Sequence, residues 1–328
     1  MSTRTPWERA GWMEETGAWI RAAVAGLGGE MRGPISQPHV RPWSTVLLVP
    51  TGEGDLFFKA SSPALAHETA LTLALSHRYP ELVLPVLAAD PARGWMLLPD
   101  GGRRLRAVLQ ERREPRRWLE LLPRYAELQI DAARDRDSLL SQHVPDRRPA
   151  RLPEVYKAFL TSERALGSGT PFALSADEIS RLHLLRSRFA ALCAQLESGP
   201  IPATIQHDDL HDGNVFVERE RCFIFDWGDA SIAHPFLSLR VALRSVAHGL
   251  ELAEDDRAVT SFRDAYLEPW TRFAPQGALV ETLAATRPVG AIARMLAWDL
   301  ALAGVDDLGD HAEVLPSLLR EFLEMTSK

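Results

Sequence analysis

Lysine is nearly absent from this chain. Of the 37 lysine and arginine residues, only Lys59, Lys157 and Lys328 are lysines, so arginine supplies almost all of the positive charge. A compact ammonium group and a planar guanidinium differ in shape, so we expect a lysine to be kept where a point charge must be placed. Lys157 lies in a polar helical stretch and Lys328 ends the chain, but Lys59 interrupts the apolar run LFFKA, where a charge is costly. Lys59 is therefore a candidate functional residue.

Cysteine is also scarce, and long apolar segments are missing. Cys193 and Cys222 cannot by themselves form a disulfide framework or a zinc cage. No run of about 18 uncharged apolar residues occurs, so no transmembrane helix is predicted. The N-terminal sequence lacks the basic-then-apolar order of a signal peptide. We therefore expect a cytoplasmic protein with no membrane partner.

An excess of positive charge is missing as well. The formal net charge is −7, which disfavours a generic nucleic-acid-binding surface. Residues 103–117 contain seven arginines, but Glu111, Glu114 and leucines lie among them, so we interpret this stretch as a solvated helical surface. The apolar fraction of 46% and the charged fraction of 25% are typical of a globular protein.

Hydrophobic periodicity and turn residues divide the chain into a sheet-containing part and a helical part. The first part is predicted to contain helices at 7–27 and 63–78 and strands at 45–49, 56–60, 83–88 and 95–98. The second part is predicted to contain helices at 103–111, 115–135, 153–165, 175–197, 235–253, 256–273, 278–302 and 311–326, with short strands between 201 and 231. We expect an α+β fold with two lobes. A small N-terminal lobe with an antiparallel sheet would span 1–99, and a larger, mostly helical C-terminal lobe would span 100–328.

The densest polar cluster is HDDLHDGN at 207–214, and DWGD follows at 226–229. The runs between them, VFV at 215–217 and FIF at 223–225, are apolar and predict a buried hairpin. Carboxylates at the ends of buried strands usually need a charge partner or a metal. Oxygen ligands at irregular spacing, in a chain with few cysteines, suit Mg²⁺ better than zinc.

The order H-x-D-(x4)-N, then a hairpin and a further aspartate, resembles the catalytic and metal loops of the aminoglycoside phosphotransferase and choline kinase family, which has a protein-kinase-like fold. The resemblance implies that Asp209 orients or deprotonates an acceptor hydroxyl and that Asn214 and Asp226 hold Mg²⁺ between the phosphates. A kinase-like fold also needs a strand lysine and a helical glutamate. Lys59 and Glu68 match these by type, order and element.

The same resemblance, which covers roughly 33–300, implies further roles. His207 would brace the loop, and His211 and Asp229 would be supporting residues. The nucleotide, ATP or GTP, would contact Ser44 in the first hairpin and the run into the interlobe hinge, represented by Met96, Leu98 and Asp100. Trp298, Asp299 and Asp264 lie on late helices where family members bind acceptors, although a core tryptophan and surface acids explain them more simply.

Two features depart from the family pattern. The segment 38–45 contains no glycine, so backbone cradling of the phosphates as in a glycine-rich loop is in doubt. Asp208 replaces the family's glycine and adds a negative charge beside Asp209. Ser44, Thr45 or Arg41 could still contact phosphate.

The sequence therefore predicts an ATP- or GTP-dependent small-molecule O-phosphotransferase. The negative net charge is compatible with a cationic acceptor such as an aminoglycoside-type antibiotic, while kinases of amino alcohols, sugars and other metabolites share the fold. A non-catalytic nucleotide-binding module is the main alternative. A zinc hydrolase using His207, Asp209 and His211 is a third interpretation, but it leaves Lys59 and Asp226 unexplained.

Overall fold

The computed structural model describes residues 5–112, 115–253, 256–305 and 308–326. Lys328, Arg113 and Glu114, which entered the sequence predictions, lie outside these described residues. In the described parts of the chain, no helix is both long enough and apolar enough to cross a membrane.

The chain divides into two compact units, and each is drawn from several segments. The first unit combines the chain up to Leu105 with Gly213–Asp229 and with residues 300–305. The second unit combines Arg106–Asp212, Ala230–Asp299 and the residues from Leu308 onward. The predicted lobe boundary at 99/100 stays a prediction.

Strands occur mainly in the first unit and helices mainly in the second. In the described residues the strands are, in chain order, β1 (Ser36–Val40), β2 (Ser44–Thr51), β3 (Gly54–Ser61), β4 (Ala88–Asp90), β5 (Trp95–Pro99), β6 (Arg103–Arg104), β7 (Thr204–Gln206), β8 (Val215–Glu218), β9 (Arg221–Ile224) and β10 (Ser231–Ala233). The α-helices there are α1 (Trp12–Gly26), α2 (His67–Arg78), α3 (Leu105–Arg112), α4 (Arg116–Ala132), α5 (Arg136–Ser141), α6 (Leu152–Phe159), α7 (Glu163–Leu166), α8 (Ala176–Leu184), α9 (Arg186–Glu197), α10 (Leu237–Gly249), α11 (Arg257–Leu267), α12 (Gln276–Ala301) and α13 (Val314–Thr326). The predicted antiparallel sheet and the mostly helical remainder are confirmed.

Strand β3 is the middle strand of an antiparallel sheet with the order β1-β2-β3-β5-β4. Successive side chains of a strand point to opposite faces. Phe58 is fully buried against Trp12 and Trp19 of α1 and Trp95 of β5, so this face carries an aromatic core. Because a shift by one residue would expose that core, the register is fixed and Lys59 faces the other side of the sheet.

Two features of this sheet differ from the prediction. The strand predicted at 83–88 is wrong, because the strand here is β4 and begins only at Ala88. Pro85 has no N–H for a ladder hydrogen bond and interrupts the apolar run. Strand β1 was not among the predicted strands; it contains Pro38, which is tolerated because β1 is an edge strand.

The second unit packs its helices around an apolar core that contains residues of α6, α9, α12 and α13. The helices predicted at 153–165 and 175–197 are wrong as continuous elements. The first is split because the hydroxyl of Ser162 accepts a hydrogen bond from the N–H of Ala165 and starts α7 as a separate helix. Leu185 separates α8 from α9. Strands β7 and β10 pair in this unit and lead into and away from the site residues.

Candidate active site

Lys59 lies between two carboxylates of the first unit. Its Nζ donates to Oε1 of Glu68 at 2.5 Å and to Oδ1 of Asp226 at 2.6 Å. The Lys59 side chain is 11% exposed and that of Glu68 is 1% exposed, whereas Asp226 is 45% exposed. The lysine is thus anchored from behind by a buried carboxylate and faces a carboxylate that is open to a ligand.

Local structure places Glu68 at this position. Glu68 lies in the first turn of α2, and its Oε2 accepts a hydrogen bond from the hydroxyl of Ser61 at 2.6 Å. A Cβ atom on Gly228 would lie 3.2 Å from that same oxygen, so the glycine after Trp227 leaves room for the carboxylate. Ser61 and Gly228 therefore belong to the arrangement, although the sequence analysis did not predict them.

The charges explain the protonation state of Lys59. Burial alone would lower the pKa of Lys59, but the charges of Asp226 and Glu68 outweigh burial and raise it well above its usual value. The charged ammonium form of Lys59 is therefore favoured. A fixed positive charge beside an open carboxylate is suited to contact with a phosphate.

Asn214 and Asp226 are brought together by the hairpin of β8 and β9. Val215 pairs with Ile224, and the N–H of Phe225 donates to the carbonyl of Asn214 at 3.2 Å. Asn214, just before β8, and Asp226, just after β9, therefore lie at the same end of the hairpin. Asp226 has a φ of 65°, a left-handed conformation that is uncommon for a residue other than glycine. One amide oxygen and one carboxylate form a donor set that fits a hard cation such as Mg²⁺.

Met96 and Leu98 line the Lys59 face of the sheet. Met96 is the register partner of Lys59, and both apolar side chains are buried. They belong to an apolar cluster made of Leu84, Met96, Leu98 and Phe223, with Val86, Phe216 and Phe225 packed against it. The rings of Phe216 and Phe225 are stacked at 4.1 Å, so this cluster offers flat apolar surfaces beside the lysine.

The other two residues predicted to contact the nucleotide, Asp100 and Ser44, lie at strand ends: Asp100 directly follows β5 and Ser44 begins β2. Oδ1 of Asp100 accepts from the N–H of Gly102 at 2.9 Å and closes the turn after β5. Ser44 starts β2 and pairs in register with Ser61. A Cβ atom on Gly101 would lie 2.3 Å from the ring of Phe216, so this turn requires glycine at that position.

Asp209 lies in the second unit, on the loop that follows β7. Its Oδ1 accepts from Nη2 of Arg294 at 2.8 Å, and its Oδ2 lies 3.4 Å from Nε2 of His211. Burial would raise the pKa of Asp209, but Arg294 and the His211 hydrogen bond oppose it and hold the pKa well below its usual range. The carboxylate therefore stays ionised and can accept a hydrogen bond from a hydroxyl group.

Asp208, the residue before Asp209, has an uncommon backbone conformation and a charge that is paired. Asp208 has a φ of 63°, in the left-handed region that glycine adopts without cost, so the backbone keeps the shape that a glycine would give it. Its Oδ2 accepts from Nη1 of Arg147 at 3.1 Å, and these side chains are 3% and 2% exposed. Arg147 therefore cancels the charge that Asp208 adds beside Asp209.

Buried hydrogen bonds hold the rest of the loop. Nδ1 of His207 accepts from the N–H of Asp209 at 3.3 Å, which fits the predicted bracing role. The N–H of His207 donates to the hydroxyls of Tyr125 and Ser238, at 2.9 and 3.0 Å. Arg106 pairs with the buried Asp212 at 2.8 Å. The loop conformation is thus fixed by side chains from α3, α4 and α10 together.

Comparison with known proteins identifies the family. The model of the phosphotransferase enzyme family matches residues 42–276, well over half of the chain. The chain belongs to the phosphotransferase enzyme family. The predicted family and the predicted class of small-molecule phosphotransferase are therefore confirmed. No curated protein matches the sequence.

Solved structures confirm the kinase-like fold of this phosphotransferase. A choline/ethanolamine kinase family protein from Mesorhizobium loti is 16% identical, with a TM-score of 0.60 and 96% of each chain covered. A choline kinase from Cryptosporidium parvum is 12% identical, with a TM-score of 0.64 and 96% and 95% of the two chains covered. An amicoumacin kinase in complex with AMP-PNP and Ca²⁺ is 14% identical, with a TM-score of 0.59 and 95% and 94% covered.

Within the described residues, no three His, Cys, Asp or Glu side chains are arranged to hold a metal ion, so His207, Asp209 and His211 do not form a zinc site in this phosphotransferase. Asp229 lies in the short helical turn Trp227–Asp229 directly after Asp226. The arginines that pair with the loop were not predicted, because no local pattern marks Arg147 or Arg294 among so many arginines.

Replacing Lys59 with methionine will lower the phosphotransferase's kcat/KM for nucleotide by about 100-fold or more, the usual scale for loss of one charged group that stabilises a transition state. The matched control is Lys157→Met, because Lys157 is 57% exposed and its ion pair with Glu154 lies at the surface. Steady-state kinetics with varied nucleotide measures both variants. A Lys59→Met enzyme within twofold of wild type contradicts the assignment.

Proposed function

We propose that this protein is a Mg²⁺- and nucleotide-dependent O-phosphotransferase that moves the γ-phosphoryl group of ATP or GTP to a hydroxyl of a small acceptor. The observation that carries this proposal is the position of Lys59 between the buried Glu68 and the open Asp226. A lysine that only stabilised the sheet would need one carboxylate partner. A second, solvent-open carboxylate beside it is the arrangement that a metal-bound polyphosphate requires.

The nucleotide is assigned to the first unit. The base would lie against the apolar cluster around Met96 and Leu98 and pair with the backbone of the run that ends at Asp100. Lys59 would contact the α- and β-phosphates, and Ser44 would be near them at the start of β2. Asn214 and Asp226 would hold Mg²⁺, which neutralises phosphate charge when it is bound.

The acceptor is assigned to Asp209. Its ionised carboxylate accepts a hydrogen bond from the acceptor hydroxyl and aligns the oxygen with the γ-phosphorus. The acceptor oxygen forms a bond to phosphorus while the bond from phosphorus to the bridging oxygen breaks, and the nucleoside diphosphate leaves. The hydroxyl proton passes to the carboxylate of Asp209 and from there to water. His207, His211 and Asp229 support these residues without touching the reacting atoms.

The non-catalytic alternative rests on the missing glycines at 38–45 and on the extra charge of Asp208. The second reason loses its force because Arg147 is paired with Asp208. Ser44, Thr45 and Arg41 remain as polar residues of that segment that could contact phosphate. Arg41 lies in the turn between β1 and β2, and its N–H donates to the carbonyl of Ser44. Partial burial and then the charge of Arg41 lower the pKa of His39, which also lies in the field of Asp226 and Lys59.

An acceptor screen tests the proposal. Purified protein is incubated with Mg²⁺, with ATP or GTP, and with aminoglycosides, macrolides, amino alcohols or sugars, and release of nucleoside diphosphate is measured. We expect acceptor-dependent release above the slow hydrolysis without acceptor. Mg²⁺-dependent nucleotide binding with no stimulation by any acceptor would instead favour the non-catalytic module. The predicted cytoplasmic location stays a prediction.

A further inference from the structure

Ser61 contacts the buried carboxylate that anchors Lys59. Its hydroxyl donates to Oε2 of Glu68 at 2.6 Å, while Oε1 of Glu68 accepts from the ammonium group of Lys59. Each oxygen of Glu68 therefore has its own donor, and the two hydrogen bonds together fix the rotation of the carboxylate. Because the Glu68 side chain is only 1% exposed, bulk water does not reach it to replace a lost donor.

The backbone holds the Ser61 hydroxyl in place. Ser61 is the last residue of β3 and comes two positions after Lys59, so both side chains project from the same face of the strand. Ser61 pairs in register with Ser44 of β2, and its N–H donates to the carbonyl of Gly94 at 3.0 Å. The hydroxyl is thus presented to Glu68 by a strand end that has a backbone partner on each side.

The two carboxylate partners of Lys59 differ in how firmly they are held. Glu68 is buried and has a donor at both oxygens, whereas Asp226 is 45% exposed and is the residue assigned to Mg²⁺. When a metal ion takes Asp226, Glu68 is the carboxylate that remains to hold the ammonium group. A donor that fixes Glu68 therefore also restricts Lys59.

Ser61 also favours the charged form of Glu68. Burial raises the pKa of the Glu68 carboxyl above its usual value, although the charge of Lys59 and the hydrogen bond from Ser61 oppose that rise. Without the hydroxyl, one buried oxygen would lose its donor, and protonation or rotation of the carboxyl would cost less. A protonated or rotated Glu68 would hold Lys59 less firmly.

We propose that Ser61 is a positioning residue that orients Glu68 and, through it, holds Lys59 where the nucleotide phosphates bind. The contact between Lys59 and phosphate rests on the proposed function, whereas the link from Ser61 to Glu68 rests on the geometry of the first unit. The role of the serine is indirect. Loss of its hydroxyl should therefore weaken binding of the phosphates and leave binding of the nucleoside unchanged.

Nucleotide binding by matched variants tests the inference. Ser61→Ala should raise the Kd for AMP-PNP with Mg²⁺ about tenfold, the scale of one hydrogen bond to a charged group, and leave the Kd for adenosine within twofold. Guanine counterparts replace these ligands if the wild type prefers GTP. Titration calorimetry measures the nucleotide, and ligand-observed NMR measures the nucleoside.

Two further serine variants serve as rescue and control. Ser61→Thr keeps the hydroxyl, so its Kd for AMP-PNP should stay within threefold of wild type. Ser76→Ala is the matched control, because Ser76 is a buried serine of α2 whose hydroxyl donates to the carbonyl of Leu73 in the same helix. This control should match wild type for both ligands.

A double-mutant cycle separates positioning from general damage. In the Glu68→Met background the acceptor of the hydroxyl is absent. There, Ser61→Ala should change the Kd for AMP-PNP by less than twofold, and its effect on Tm should shrink by at least half.

The outcomes distinguish this inference from the proposed function. Additive effects on Tm overturn the positioning of Glu68 by Ser61, whether or not the protein binds nucleotide. An unchanged Kd for AMP-PNP in Ser61→Ala, or an equal loss of AMP-PNP and adenosine, overturns the role through Lys59. Wild-type protein with a coupled cycle in Tm but no Mg²⁺-dependent binding of AMP-PNP or its guanine counterpart would instead overturn the proposed function.

Discussion

Replacing Asp209 with alanine or asparagine will lower kcat by about 1,000-fold, within the range that a positioned catalytic group contributes. The acceptor hydroxyl would lose the carboxylate that aligns it with the γ-phosphorus. Asparagine keeps the size and a carbonyl oxygen for Arg294, so the asparagine variant separates loss of charge from loss of packing. The Kd for nucleotide, measured by titration calorimetry, should stay within about threefold, because the residues assigned to the nucleotide lie in the first unit.

The control for this variant is Asp137→Asn. Asp137 is 82% exposed and pairs with the neighbouring Arg136, so removing its charge should leave kcat unchanged. The lowered pKa of Asp209 adds a second expectation. A lowered pKa keeps this group ionised at and below its ordinary titration range, so kcat should not fall through protonation of Asp209 near pH 4. An Asp209→Asn enzyme with more than a tenth of the wild-type kcat contradicts the assigned role.

Replacing Arg147 with methionine will lower the free energy of unfolding by about 3–5 kcal/mol, because it leaves the carboxylate of Asp208 buried without its partner. Both side chains are almost fully buried. The backbone N–H of Arg147 also donates to the carbonyl of Ile232 in β10, and the methionine variant keeps this hydrogen bond. Urea unfolding measures the change. Activity should fall as well, since the loop that carries Asp209 is held by this pair.

Two further variants make the Arg147 experiment decisive. Arg148→Met removes the adjacent arginine, whose partner Asp146 is partly exposed, and should cost no more than about 1 kcal/mol. The double variant Arg147→Met/Asp208→Gly removes both charges and supplies the residue that tolerates a positive φ, so most of the lost stability should return. A loss below about 1 kcal/mol in Arg147→Met, or a double variant no more stable than the single one, contradicts the buried-pair account.

The sequence pattern marked the candidate site residues but not the arginines that contact the loop. Lys59 and Asp226 were predictable because their types, order and apolar flanks follow a pattern that the chemistry of phosphoryl transfer requires. Arg147 and Arg294 were not predictable, because they lie 61 and 85 positions from their partners in the loop and look like any other arginine of the chain. Only tertiary packing brings them to the loop.

The fold class was predicted correctly, but near prolines one strand was misplaced and another was missed. Pro85 divides an apolar run that looks like a strand, and Pro38 lies in the edge strand β1, where a missing N–H costs little. The glycine-to-aspartate change at 208 looked like a defect in sequence because its compensation, Arg147, comes from another part of the chain. The effect of a residue that departs from a motif therefore depends on the side chains that contact it.

Direct detection of the phosphorylated product tests the central claim. Mass spectrometry of the acceptor after incubation with enzyme, Mg²⁺ and ATP labelled in the γ-phosphoryl group should show one added labelled phosphoryl group. We predict that this product depends on Mg²⁺ and is lost in Asp209→Asn but not in Asp137→Asn. Label found only in inorganic phosphate, or an equal yield of phosphorylated acceptor from the Asp209→Asn enzyme, would contradict the claim that this chain transfers phosphoryl groups through Asp209.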